Sequence, residues 1–224
     1  MDASETCAVG VPQMTSIAID PNDHTNIWLG IEIDGLRHST DGGDTFRTVT
    51  GQAPDSQGNW IDDIHNLAIS SGPPRTVYAL VGAGGGHKPD MWTSSDDGET
   101  WNSYDAHENL PCVGEIDGQR NYPRGIAVKP GEPNTIFMSI GDNTPGRTGT
   151  VLRSRDMGQT WQNLKMPVPP NSAMWVVNVP QGDPNRVFAG TRYGYLYRSL
   201  DSGDNWEKLW REFSEISAIV WLPD

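Results

Sequence analysis

Four stretches of the chain repeat one order of apolar and polar runs. In each, a short apolar run meets a turn containing proline and then a second apolar run: SIAID-PNDHTN-IWLGI, LAIS-SGPPRT-VYALV, GIAV-KPGEPNT-IFMSI and VVNV-PQGDPNR-VFAG. Short apolar runs bounded by Gly, Pro, Asn and Asp predict strands joined by turns. Downstream of every pair lies one pattern, S-x-D-x-G-x-[TN]-[WF], at Ser39 to Phe46, Ser94 to Trp101, Ser154 to Trp161 and Ser199 to Trp206. Its serines are 55, 60 and 45 residues apart, a spacing close to one propeller blade.

The pattern has a mechanical reading. Asp and Ser side chains bond nearby backbone N–H groups and close a turn. Glycine supplies a backbone conformation that other residues resist. The terminal aromatic can then wedge between neighbouring sheets. Each blade reads strand A, turn, strand B, loop, strand C, box turn, strand D, which makes the fold all-β.

The motif resembles the Asp-box, or BNR repeat, of sialidases, sortilin-like receptors and photosystem II assembly factors. The resemblance runs from about Thr15 to the end of the chain. It implies a single β-propeller domain over residues 1–224 with four complete blades. The closing segment, Ile216 to Pro223, reads as a fifth strand A, and Cys7 to Met14 as a strand without a blade. Pairing of the two ends in a composite fifth blade is expected. A truncated larger propeller, or closure by a second chain as a homo-oligomer, are the alternatives.

Composition fits short strands and tight turns: 25 Gly, 17 Pro and nine Trp among 224 residues, with 20% charged. The net charge of −13 repels phosphate backbones and argues against nucleic acid as a partner. A neutral or cationic small molecule or glycan suits such a field better. No run has the apolar length to span a bilayer, and MDASETCAVG lacks the regions of a signal peptide. Either the protein is cytoplasmic or a leader has been removed. Cys7 and Cys112 match no zinc or redox spacing and read as two thiols or one disulfide. No cofactor is implied.

In this topology the boxes lie on the lower face, and their Ser and Asp read as structural. Ligands are expected at the opposite mouth, walled by the D-to-A and B-to-C loops. Those loops carry Glu32, Asp34, Trp60, Asp62, Asp63, His65 and His87 in the first half of the chain. In the second half they carry Tyr122, Arg124, Asp142, Arg147, Trp175, Arg192, Tyr193 and Glu215. Ionisable and aromatic side chains converging on one mouth mark a binding site, although polar loops are also solvated in any domain.

Three functions fit. The resemblance to carbohydrate-active propellers implies glycoside cleavage, which needs two facing carboxyl groups. Asp34, Asp62, Asp63, Asp142 and Glu215 could supply them, with Trp60 and Trp175 as sugar platforms. A sialidase reading would cast Arg124, Arg147 and Arg192 as the arginine triad and Tyr193 with Glu215 as nucleophile and support. The absence of an Arg-Ile-Pro motif and a blade count below six argue against it. A non-catalytic protein- or glycan-binding module needs only aromatic and polar contacts. A metal-dependent lyase or hydrolase would use His65 and His87 with Asp63 or Glu32, but no compact histidine spacing supports a metal site.

Overall fold

The computed structural model describes residues 11–51, 53–54, 58–82, 88–111, 113–116 and 119–220. The chain is all-β and of propeller type, with four four-stranded antiparallel sheets among the described residues. They fall into two compact units, residues 1–104 and 105–224. Unit one holds blade 1, made of β1 (Gln13–Asp20), β2 (Asp23–Glu32), β3 (Gly35–Ser39) and β4 (Arg47–Thr48). It also holds blade 2, made of β5 (Ile64–Ser70), β6 (Thr76–Val81), β7 (Asp90–Ser94) and β8 (Asn102–Ser103).

Unit two opens with a one-turn helix, α1 (Ala106–Asn109), and a hairpin of β9 (Glu115–Ile116) and β10 (Gln119–Arg120). Blade 3 follows as β11 (Tyr122–Lys129), β12 (Glu132–Gly141), β13 (Gly149–Ser154) and β14 (Gln162–Leu164). Blade 4 is β15 (Met174–Asn178), β16 (Val187–Thr191), β17 (Leu196–Ser199) and β18 (Glu207–Lys208). Within each blade the strands pair in chain order.

The four S-x-D-x-G turns join the third and fourth strands and close by one set of bonds. The serine hydroxyl donates to the aspartate Oδ1 at 2.7–2.8 Å and accepts the glycine N–H at 2.8–2.9 Å. The same Oδ1 accepts the N–H of the Thr or Asn at 2.8–3.0 Å, and Oδ2 accepts that residue's side chain. All four serines are 1% exposed. Two consecutive residues in each turn take positive φ. The first is Gly42, Asp97, Met157 or Ser202 (φ 75, 57, 60 and 58°), and the second is the pattern glycine (φ 85–97°). Only Gly adopts that region without steric cost. In three blades the first N–H also donates to a carbonyl at or just before the start of the second strand: Gly42 to Thr25, Met157 to Asn134 and Ser202 to Asn185. The turn is thereby clasped to the hairpin of its own blade.

Register sorts each blade into two faces. Ala18, Trp28, His38 and Arg47 are cross-strand neighbours on one face of blade 1, and Ile17, Leu29, Arg37 and Thr48 on the other. The first face packs against Leu67, Ile69, Val77, Ala79 and Val81 of blade 2. Unit two repeats the arrangement. Phe137 of blade 3 sits in one core with Val177, Val179, Val187, Ala189 and Tyr197 of blade 4. Trp28, Tyr78, Phe137 and Phe188 hold equivalent positions in the second strand of the four blades.

In the second blade of each unit the box glycine is pressed onto the blade before it. A Cβ at Gly98 would lie 2.7 Å from Val49 and 2.9 Å from Trp28, and one at Gly203 3.0 Å from Leu164 and 3.1 Å from Phe137. Arginines reinforce the joints. Arg47 donates to the Asp97 carbonyl, and Arg153 donates at 2.7 Å to both the Ser202 carbonyl and Asp204.

At the chain ends the structure departs from the expectation. Met14 belongs to β1, where it pairs with Ile31, and is not part of a separate strand. Residues 216–220 form no strand, and of these only Ile216 is buried, against Gly190. The rest of the expected composite blade, residues 1–10 and 221–224, lies outside the described residues, as do Cys7 and Cys112.

Backbone strain gives a paired prediction. Gly98→Ala should destabilise by about 2 kcal/mol or more, combining overpacking with a disfavoured φ. Met157→Gly should stabilise by up to about 1 kcal/mol, because it relieves the same φ at a half-buried position. Urea denaturation of both variants checks the signs.

His38 gives a pH prediction. It is 3% exposed, stacks on Trp28 at 4.1 Å, and neither ring nitrogen has a hydrogen-bond partner. Burial, with the Arg47 charge second, holds its pKa below 6.5. The neutral ring is favoured in the fold, so stability is full above pH 6.5 and falls as the unfolded chain takes up the proton. His38→Phe should reduce the loss of stability between pH 7 and pH 5, measured by denaturant titration at both values. At lower pH the box carboxylates add a second loss. Asp201, held at about 2 by the Asn205 side chain and N–H and by Ser199, stabilises above pH 3.8 and ceases to do so as pH falls through about 2.

Candidate functional site

Of the residues singled out in the sequence, Glu32, His65, Tyr122, Arg124 and Trp175 lie in strands rather than in the expected loops, the other described ones lie in connecting segments, and each unit builds its own cluster. In unit one, Glu32 ends β2 and Asp34 sits in the tight turn to β3. Gly35 (φ 75°) permits this turn, since a Cβ there would lie 2.6 Å from the Thr50 backbone. The Asp34 carboxylate binds Arg37 at 2.5 Å, and Arg37 also donates to the carbonyls of Asp34, Leu36 and Thr50. This ion pair braces the turn.

Asp62 is half-buried, and its carbonyl accepts the Gly35 N–H at 2.9 Å. Asp63 and His65 are 5% and 6% exposed, with Asp63 Oδ2 3.8 Å from His65 Nε2. Gly82 makes room for them. Its N–H donates to the Asp63 carbonyl at 2.8 Å, and a side chain at 82 would run into both the carboxylate and the imidazole. At that separation the two groups lie within ion-pair range but beyond a direct hydrogen bond. His87 lies outside the described residues. Among the described residues no group of three or more His, Cys, Asp or Glu is arranged to hold a metal ion.

Trp60 lines a hollow of about 330 Å³ together with Trp92, Asp90, Lys88, Val81, Asn59 and Gly58. Both indoles are half-buried. The Asp90 carboxylate accepts the Met91 N–H at 2.7 Å and the Ser103 hydroxyl. Lys88 and Asp90 belong to the B-to-C loop that the sequence places at the mouth, whereas Trp92 was not singled out there. Trp92 alternates with Met91 and Thr93 along β7 and reads there as packing.

Unit two gathers five of the sequence candidates. The Arg124 guanidinium lies 3.7 Å from the centroid of the Trp175 ring and 5.7 Å from that of Tyr122. Arg192 lies 4.6 Å from the same tryptophan and is ion-paired with Glu215. Two guanidinium groups thus share one indole, an arrangement that fixes long side chains in place. Tyr193 is 50% exposed, and its backbone is held by Ser172 and Asn171.

Asp142 is 3% exposed, and its Oδ1 accepts the N–H groups of Arg147 (2.9 Å) and Thr148 (3.3 Å). Gly146 (φ 72°) lies against the same oxygen. This carboxylate closes the turn from β12 to β13, while the Arg147 residue is exposed.

No protein-family model matches the chain. A xyloglucanase from Paenibacillus sp. is 29% identical over 166 residues, which is 63% of this chain and 16% of that enzyme. The chain is similar to xyloglucanases. It spans 16% to 27% of the length of those it matches. Among solved structures, the GH74 enzyme of Niastella koreensis superposes with a TM-score of 0.61 at 20% identity, over 87% of this chain and 29% of the other. YCF48 from Cyanidioschyzon merolae gives 0.57 at 16% identity, over 91% and 57%. Likeness at that identity establishes the propeller-type fold.

The Asp142 geometry yields a test of its role. Asp142→Asn keeps an oxygen for the two N–H groups and should leave stability nearly unchanged. Asp142→Ala strands both donors and should cost about 1–2 kcal/mol in urea denaturation. A catalytic carboxylate would differ in activity alone, with the Asn variant equally stable but inactive.

Proposed function

We propose that the chain is an Asp-box propeller segment that binds a neutral β-glucan of the xyloglucan class. The observation that carries this reading is the hollow in unit one, where Trp60 and Trp92 stand with Asp90, Lys88 and Asn59 around about 330 Å³. Sugar rings offer C–H faces to indoles and hydroxyls to carboxylates, amines and amides. Such a mix of apolar walls and a few polar groups suits a small-ligand site of roughly this size. The similarity to xyloglucanases supplies the glycan class, and an uncharged polysaccharide suits a net charge of −13.

A second reading is hydrolysis of that glycan. Asp62 and Asp63, the latter buried beside His65, are the carboxylates that favour it in unit one. In unit two the Arg192–Glu215 pair leaves Glu215 half-exposed beside the arginine and tryptophan cluster. Two opposed carboxyl groups would have to flank the scissile bond.

Calorimetric titration with xyloglucan oligosaccharides tests both readings. Trp60→Ala and Trp92→Ala should each weaken binding roughly tenfold, the loss of one stacking platform. Melting temperatures confirm folding, since Trp92 also packs on the core. Absence of binding by the wild-type chain would remove the first reading. For the second, reducing ends should appear in a xyloglucan digest and disappear with Asp62→Asn or Asp63→Asn while binding persists.

A further inference from the structure

The two units build the same joint between their blades with different side chains. In unit two, Arg153 stands opposite Phe137 in the cross-strand register, is buried, and donates to the Ser202 carbonyl, Asp204 and Gln162. In unit one, His38 holds that register position, opposite Trp28. The bond to the neighbouring turn comes instead from Arg47, one strand further out, which donates to the Asp97 carbonyl. His38 is therefore left inside the joint with no bond to make. It is buried, and neither ring nitrogen has a hydrogen-bond partner among the described residues.

Its ring lies on the Trp28 indole, which also receives the blade 2 turn. Trp101 meets that indole edge-on at 6.2 Å, and Gly98 leaves no room for a methyl group against it. An imidazolium here would gain a cation–π contact with the indole but would bury two N–H donors without acceptors, a larger loss. The charges that face the ring are already spoken for. Arg47 lies beside it on β4, with Glu99 3.9 Å from that guanidinium. Asp97 lies in the blade 2 turn, and Arg75, just before β6, pairs with both Asp97 and Asp20. Each carboxylate near the joint is thus engaged by an arginine, and none is left for a protonated His38.

The same core carries a wall of the unit-one hollow. Trp28, Ile61, Val81 and Trp101 belong to one buried cluster, and Trp92 packs against it. Val81 and Trp92 line the hollow, as does Trp60, the residue before Ile61. We propose that His38 is a proton-sensitive catch for this hollow. With the ring neutral the joint is closed; protonation loosens the blade 2 turn from Trp28 and, through the shared core, the Trp92 wall. The ligand so regulated is the glycan proposed for the hollow, and this step depends on that reading. By linkage, each pH unit below 6.5 shifts the balance from closed toward open by up to about tenfold. Glycan binding and protonation of His38 therefore oppose each other.

Hydrogen exchange of the full chain without ligand, at about pH 6.5 and about pH 5.5, reads the joint directly. Protection of the Gly98 amide, taken against the free-peptide rate at each pH, should fall by about threefold to tenfold. Gly203, in the equivalent turn of unit two where Arg153 stands in place of the histidine, should keep its protection. In His38→Phe, Gly98 should keep its protection as well, and His38→Leu gives the same reading should the phenyl ring perturb folding. Calorimetric titration with xyloglucan oligosaccharides should show affinity falling across the same pH step in the wild type and not in the His38 variants. Equal Gly98 protection at both pH values, or an equal loss at Gly203, overturns the catch. So does a pH-dependent affinity that persists without His38. An affinity that stays constant while Gly98 opens overturns the coupling to the hollow. Glycan binding at neither pH overturns the glycan reading and its regulation together, and Gly98 exchange, measured without ligand, still decides whether the joint opens.

Discussion

Everything in this fold hangs on a buried serine hydroxyl facing an aspartate across a turn. The serine oxygen takes the glycine N–H and gives its proton to the carboxylate, and the carboxylate spends its remaining acceptors on the next Thr or Asn. Backbone groups that a tight turn would leave unpaired are thereby satisfied inside eight residues. The cost is two successive left-handed residues, tolerable because the bonds determine the conformation more strongly than sterics resist it. Once closed, the turn presents its glycine and aromatic to the neighbouring sheet as a rigid unit.

That rigidity explains how adjacent blades register. A flexible tip could not hold Gly98 against Trp28, or Gly203 against Phe137, at distances that exclude even a methyl group. The close approach lets Arg47 and Arg153 reach the carbonyl of the left-handed residue in the next blade, Asp97 and Ser202. Apolar packing of the strand faces and polar bonding at the turn thus act on the same joint. In blade 1 a Cβ at Gly43 would meet only Ile27 and Phe46 of the same blade, and Phe46 is 40% exposed.

The box was legible in the sequence because its chemistry is local: five fixed positions carry nearly all of its bonds. The strands were legible because proline turns punctuate them. Tyr122, Arg124, Trp175 and Arg192 come together in unit two, although the first three lie on strands and not in the loops where the sequence placed them. What sequence could not give depends on register and on contacts remote along the chain. Trp92 joins Trp60 in the hollow although it sits mid-strand, where alternation marks it as packing. His38 looked ordinary until pairing placed it on Trp28 without a partner for either nitrogen. Asp142, chosen as a carboxylate facing a ligand, lies in D-N-T-P-G, a run whose turn propensity foreshadows its bonds to the N–H groups of Arg147 and Thr148. Met14 was separated from its strand because a register shift between Met14 and Ser16 breaks the alternation there.

The clasp also divides each blade into a conserved-length end and a free end. From the box serine to the first residue of the fourth strand the count is the same in every blade: Ser39 to Arg47, Ser94 to Asn102, Ser154 to Gln162, Ser199 to Glu207. At the other end, two residues separate β2 from β3, eight β6 from β7, seven β12 from β13 and four β16 from β17. An insertion on the clasped side would break bonds that hold two blades, whereas one on the far side lengthens a loop at little thermodynamic cost. Such a scaffold lets recognition surfaces be rewritten by grafting, loop by loop, while the hinge between blades keeps its gauge.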